Sequence, residues 1–458
     1  MNVSSNLRTP LSAALAVLAF GCANGAQAEI RDSTGSTRGN VLTVNSLADN
    51  TTPGDGLVTL REAIIAANAD GTTDLGQTGN GADIIDLSAL SGTIQLGSSL
   101  PAISSDITLF GAGRDQLTIS GDDGAGTRNR IFFIDGGDLQ LIDLALRHGF
   151  ARGGNGGTCQ QRSGCGGGGA GLGGAVFLND GSLRMFAVRV SDSIARGGTG
   201  GSRSLPAGFD GGGGGGGILL PGGAPANQLG GEGAHGNPLA GLGGSPGIAA
   251  MGASNGGDGA GGGAGSYGVE VSTVPGDGGF GGGGGGGGYS FGSGGPSPAG
   301  GAGGFGGGGG GRGAKGLSID GPGGPGGEFG GLGGSSSGEG NVGGGGGGGA
   351  GLGGAIFARA GSAELQDVIF SGNQAERGAA GSQSGGNNAG LPGQGKGGAL
   401  FILPGAVVTA LALDFDGNSA ADSSDEGYTP GVSVDTRDVH GLISDIDRIF
   451  AAGFESVP

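Results

Sequence analysis

Gly173-Gly-Ala-Val-Phe177, Gly353-Gly-Ala-Ile-Phe357 and Gly397-Gly-Ala-Leu-Phe401 are one unit written three times. A second apolar run follows each copy: Val188-Arg-Val190, Val368-Ile-Phe370 and Leu411-Ala-Leu413. Two copies also close alike, on Asn373-Gln-Ala375 and Asn418-Ser-Ala420. Upstream, Ile107-Thr-Leu109, Leu117-Thr-Ile119, Leu139 to Ile142 and Leu144 to Leu146 form brief, largely alternating runs between glycine turns, the pattern of short half-buried strands. Leu117 and Ile119 recur about 22 residues later as Leu139 and Leu141, while Phe133 to Phe177 and Phe357 to Phe401 are steps of 44. A coil of that shorter length plus a glycine loop of similar size accounts for the longer step. Short strands at a fixed period predict a solenoid, and parallel crossovers are overwhelmingly right-handed. The expected fold is therefore all-β, a right-handed parallel β-helix.

Ahead of the strands, Leu60, Ala63, Ile64 and Ala67 share one helical face, and Thr59-Leu-Arg-Glu62 is a capping-box sequence. This predicts a short N-terminal capping helix over 59–68, placed to cover the open end of the strand stack. Val58-Thr-Leu-Arg-Glu-Ala-Ile64, with Ala67-Asn68, resembles the Cys-Ser-Leu-Arg-Glu-Ala-Ile motif of a family of bacterial secreted β-helix proteins. Leu100-Pro-Ala-Ile103 and Leu117-Thr-Ile-Ser-Gly121 are similar to that family's first coils. The resemblance implies a pectin-lyase-like fold, exported and often surface-associated, in the manner of polymorphic outer-membrane proteins; it implies no activity. Val58 and Thr59 stand where the motif has Cys and Ser, which keeps the cap and removes the thiol.

Glycine dominates the rest: 128 of 458 residues, with no Trp and 13% charged residues. The glycines run in blocks, so a collagen repeat is excluded. About half of residues 197–349 are glycine, and their few large apolar side chains fall far short of offsetting the entropy of ordering such a chain. The segment is expected to loop out of the solenoid as a disordered insertion. Its rival is a bundle of polyglycine-II helices, for which no sustained every-third-residue spacing is evident. Residues 1–28 read as a signal peptide, with an apolar run from Leu11 to Phe20 and Ala26-Gln-Ala28 ahead of a cleavage between Ala28 and Glu29. The remaining divisions are an N-terminal segment 29–83, coils over 84–196 and 350–422 either side of the insertion, and an acidic tail 423–458. In that tail Leu442, Ile446, Ile449 and Phe450 predict a C-terminal capping helix. A net charge of −18 argues against nucleic acid and anionic lipid as partners, and past the leader no stretch is long and apolar enough to span a membrane. The location expected is the cell surface, outer-membrane-associated, or the extracellular space of a Gram-negative bacterium.

Export makes Cys159 and Cys165 a disulfide candidate. So short a ring stabilises by only about 2–3 kcal/mol. Carbohydrate chemistry on such folds uses clustered carboxylates. The candidates are Asp122, Asp123 and His148, which resemble the Asp-Asp and Gly-His-Gly pieces of polygalacturonases. That family's Asn-Thr-Asp and Arg-x-Lys pieces are missing, and turns select Asp, His and Gly for conformational reasons alone. Asp414, Asp416, Asn418, Asp422 and Asp425 match the spacing of a calcium loop, but Ser419 replaces its glycine and Asp425 its bidentate Glu. No other cofactor is implied. The sequence thus favours a non-enzymatic exported protein acting in adhesion, matrix or surface display, with a surface glycan or protein as partner. The alternatives are a carbohydrate-active lyase or hydrolase and a calcium-stabilised scaffold.

Overall fold

The computed structural model describes residues 40–445, except 161, 204–210, 227–228, 237, 249–250, 269–272, 292–297, 316–320, 337–341, 383–387 and 424–427. The leader with its Ala28/Glu29 site, Asp425 and the end of the tail lie outside the described residues.

Nearly all regular structure is β. The helix Leu60–Asn68 is the one helix among the described residues, and Thr59 caps it. The Thr59 hydroxyl accepts from the Glu62 N–H at 3.2 Å while Glu62 accepts the Thr59 N–H at 2.9 Å, so two of the four orphan donors of the first turn are met. Leu60, Ala63, Ile64 and Ala67 are buried, and the helix lies on the strands Val41–Thr43 and Asp83–Asp86.

The main sheet has 14 strands. One path runs through Val41–Thr43, Asp83–Asp86, Ile107–Phe110 and Phe132–Ile142 to the 16-residue strand Val176–Ser191. There the path closes. Val176–Ser191 pairs with Ile356–Ala358, then come Leu400–Ile402, Val439–Asp445, Ala406–Asp416 and Gly361–Ser371, which pairs back onto Val176–Ser191. Every pairing in this six-strand ring is parallel. A branch of Gly92–Gln95, Leu117–Ser120 and Ala145–Arg147 joins the same sheet, and Ser433–Asp435 forms an antiparallel hairpin with Val439–Asp445. Two small parallel sheets flank it, one of four strands and one of three.

This overturns the expected right-handed parallel β-helix. The strand order closes into a ring instead of advancing coil by coil, and no two described strands pair at an offset of 22. Leu117 pairs with Gly92, whereas Leu139 pairs with Ile107 and Leu183. The reason is strand length. Val176–Ser191 runs unbroken where the repeat suggested two strands, so it pairs with both Ile356–Ala358 and Gly361–Ser371. Val439–Asp445 does the same with Leu400–Ile402 and Ala406–Asp416, which shuts the ring. It is a strand through Leu442, where a capping helix was expected.

The glycine-rich segment is not a disordered loop in its described residues. Gly164, Gly167 and Ala170 donate to Gly287, Gly284 and Gly281; Cys165, Gly168 and Gly171 to Gly344, Gly347 and Ala350; Gly166 and Gly169 to Gly157 and Gly154. Donors three apart therefore share one neighbour, and successive donors serve three different ones. A β-strand would alternate between two sides; a three-residue turn distributes its bonds this way. The same segment accepts from 198–201, 213–216 and 308–311, so six chains surround it. This is the polyglycine-II bundle. Glycine is required by the spacing: a Cβ on Gly166 would overlap the Gly214 carbonyl oxygen.

Bundle and sheet meet at an aromatic seam. Phe133, Phe177, Phe357, Phe401 and His440 occupy one register position on successive strands, with ring centroids 5.3, 5.2, 5.3 and 4.5 Å apart. The turns at the base of the bundle insert Ile218, Leu239, Phe280, Phe305 and Phe329 against it. A separate apolar core fills the strand assembly, from Leu42 to Ile443.

Candidate functional site

A cleft of about 500 Å³ opens over the branch strands. Its floor is built by register: Thr93 lies beside Thr118, Gln95 beside Ser120, and Ser120 beside Arg147. One wall is the hairpin 122–128, closed by an Asp122–Arg128 bridge, and Asp122, Gly124, Gly126 and His148 complete the lining.

The structure thus brings Asp122 and His148 to one cleft and leaves Asp123 outside its lining. Asp122 accepts the Gly124 N–H at 2.8 Å and pairs with Arg128 at 3.4 Å. Asp123 accepts from Ala125 at 2.8 Å and Thr127 at 2.9 Å, and the Ala125 N–H leads in holding its carboxyl below the ordinary range. It shapes the turn. His148 has φ +55, the left-handed conformation that carries the chain from Ala145–Arg147 into the strand Phe150–Arg152. Arg147 pairs with Asp192 at 2.9 Å. Asp122 is the sole carboxylate in the lining, so the acid pair of a glycosidase is not assembled there.

The described calcium-loop residues, Asp414, Asp416, Asn418 and Asp422, do not converge. Asp414 and Asp416 are exposed on the strand Ala406–Asp416. Asn418 is buried: its amide donates to the Phe370 carbonyl and to Asp438, each at 3.0 Å, and its oxygen accepts from Asn373. With Ser193 donating its N–H to Asn373 at 3.1 Å, this makes a ladder across three turns. Asp422 pairs with Arg377 at 3.0 Å and accepts the Gly395 N–H. Among the described residues no three His, Cys, Asp or Glu gather as a metal site. Cys159 and Cys165 are joined by a disulfide at a bundle tip, Cα atoms 4.7 Å apart.

The linear sequence did not group one further constellation. Lys396 donates to Asp435 at 2.7 Å, and His440 and Ser423 contact the other Asp435 oxygen at 3.1 and 3.0 Å. Burial raises the Asp435 pKa, but the Lys396 ammonium, with His440 and Ser423, outweighs it and leaves the carboxyl below its ordinary range. Arg130 is buried with no carboxylate partner among the described residues, donates to the Leu172 and Gly173 carbonyls, and stacks 5.4 Å over Phe177; burial lowers its pKa to about 10. Both groups tie seam to sheet. No family model matches the chain, and neither do any of the curated proteins or solved structures compared with it.

Proposed function

We propose that the chain is an exported, non-enzymatic protein that works by display and contact, as an adhesin or matrix component at the cell surface or beyond it. The carrying observation is the bundle. Its hairpins turn apolar residues into the seam at one end and present Leu229, Ile248, Met251, Val274 and Phe291, all exposed, towards the other. An ordered plate held by backbone hydrogen bonds carries those tips at low conformational cost, as a contact surface requires. The leader-like residues 1–28 and the Cys159–Cys165 disulfide suit an oxidising, exported setting. The resemblance of Val58–Ile64 to a motif of secreted proteins agrees with it.

The test is fractionation of a Gram-negative host producing the chain with its own leader, followed by binding of the purified protein to cells and matrix. Recovery in the outer membrane or medium is expected, with binding reduced when Ile248, Met251 and Val274 are replaced by Ser. Cytoplasmic retention of the uncleaved chain would sink the reading. A lyase or hydrolase reading is favoured only by the meeting of Asp122 and His148 in one cleft; it requires turnover that Asp122→Asn abolishes.

A further inference from the structure

We infer that the cleft over Gly92–Gln95, Leu117–Ser120 and Ala145–Arg147 is a binding site for a neutral saccharide of one or two rings. The inference deepens the display reading by naming a ligand, and it rests on that reading only for its biological use.

The first argument is the open hydrogen-bonding capacity of a solvent-facing floor, on which Thr93 and Gln95 are exposed and Thr118 and His148 half-buried. The side chains of Thr93, Gln95, Thr118 and His148 line the cleft and have no hydrogen-bond partner among the described residues. Hydroxyl and amide groups each both donate and accept. Sugar hydroxyls do the same, so one ligand class can satisfy the whole set. Strand geometry spaces these groups about 4.8 Å across strands and about 6.7 Å along them, on the scale of a pyranose ring.

Charge decides against the competitors. Asp122 already faces Arg128, and Arg147 already faces Asp192. An anionic ligand would have to displace Asp192 while meeting Asp122, and a cation would meet Arg147 while displacing Arg128. No aliphatic, phenyl or phenol side chain lines the cleft, whose one ring is the polar imidazole of His148, which disfavours lipids and flat apolar ligands. The volume of about 500 Å³ holds a small oligosaccharide and little more.

The hairpin is fitted to this floor. Gly124, at φ +75, lies so close over Gln95 that a Cβ there would be 3.0 Å from the Gln95 amide nitrogen. The Gln95 amide is thus set beneath the wall of the cleft.

The test uses the mature chain, probed by saturation-transfer NMR and calorimetry. The probes are neutral di- and trisaccharides of glucose, galactose, mannose and N-acetylglucosamine, with a galacturonate trisaccharide and inorganic phosphate in parallel. At least one neutral sugar is expected to bind saturably. Gln95→Ala and Thr118→Val should each weaken it at least tenfold at an unchanged Tm, and Thr118→Ser should retain it. Binding of only the acidic sugar or phosphate overturns the inference, as does no binding at all, or neutral-sugar binding indifferent to these substitutions. Surface location without sugar binding overturns this inference alone, whereas sugar binding by a chain retained in the cytoplasm overturns the display reading alone.

Discussion

Phe329 has φ +65, a conformation that costs a non-glycine residue about 1–2 kcal/mol. The two preceding base turns place glycine there, Gly281 at +76 and Gly306 at +70, each after a phenylalanine. In the third turn the phenylalanine itself holds the left-handed position, and its ring lies 5.3 Å from Phe401 and 5.2 Å from His440. Aromatic contact outweighs backbone preference at this residue. Two expectations belong to this scale. Asn373→Ala strips partners from the Ser193 N–H and the Val190 carbonyl and leaves the Asn418 oxygen only the Asn373 backbone N–H. It should cost about 2–3 kcal/mol, read by denaturant unfolding; a loss under about 0.5 kcal/mol would refute the ladder's importance. Gly166→Ala cannot be accommodated without parting 164–171 from its neighbours. It should accelerate amide exchange across the bundle while leaving the helix Leu60–Asn68 protected.

At the level of elements, the helix was legible because its cap and apolar face are local: Thr59, Glu62 and four apolar positions lie within nine residues. The tail was not. Leu442 and Ile443 fit a helical face or a strand, and the free edges of Leu400–Ile402 and Ala406–Asp416 decided the matter. Lys396 and Asp435 then pin the hairpin Ser433–Asp445 in place. Because the folded Asp435 pKa is depressed, the pair contributes stability above the unfolded value of about 4, and loses it as pH falls through the lower folded value. Lys396→Met should therefore lower Tm at pH 7 by about 1–3 °C, a small amount since Asp435 is half exposed. The gap between parent and variant should shrink towards pH 2, where only packing and the Lys396 bond to the Asp422 carbonyl remain to be lost; a gap that did not shrink would show that the ion pair contributes nothing.

For the whole molecule, the question is why the bundle stops growing. Its outer chains carry side chains at every third, outward position: Leu229, Glu232 and His235; Leu242, Ser245 and Ile248; Pro322, Pro325 and Glu328 are all exposed. Proline offers no N–H. On the chains between, Asn255 accepts the Asp277 N–H at 2.8 Å and Asp277 the Ala302 N–H at 2.7 Å. These devices blunt the edge as charges and prolines blunt a sheet. Replacing Asn255, Asp277, Pro322 and Pro325 together by Gly should raise the mass measured by light scattering; an unchanged mass would show that the edge is closed by other means. The buried glycine amides from 282 to 313 should exchange as slowly as those of Val176–Ser191.

The every-third spacing was in the sequence all along, yet each segment makes only two or three turns before reversing, so no sustained period could be read. The triplicate unit ending in Phe177, Phe357 and Phe401 likewise announced parallel strands in register, because side-chain alternation and repeat spacing are local properties. Asp122 and His148 could be singled out from their neighbours, but Thr93, Gln95 and Thr118 could not, since ordinary strand residues become a cleft only when their strands lie side by side. By itself, then, the sequence determined a nearly all-β chain, one capped helix and an aromatic position shared by its repeats. Ring closure, the ordering of the glycines and the cleft were decided by tertiary structure. Each depends on backbone hydrogen bonds between segments far apart in the chain, and a backbone N–H is the same in every residue but proline.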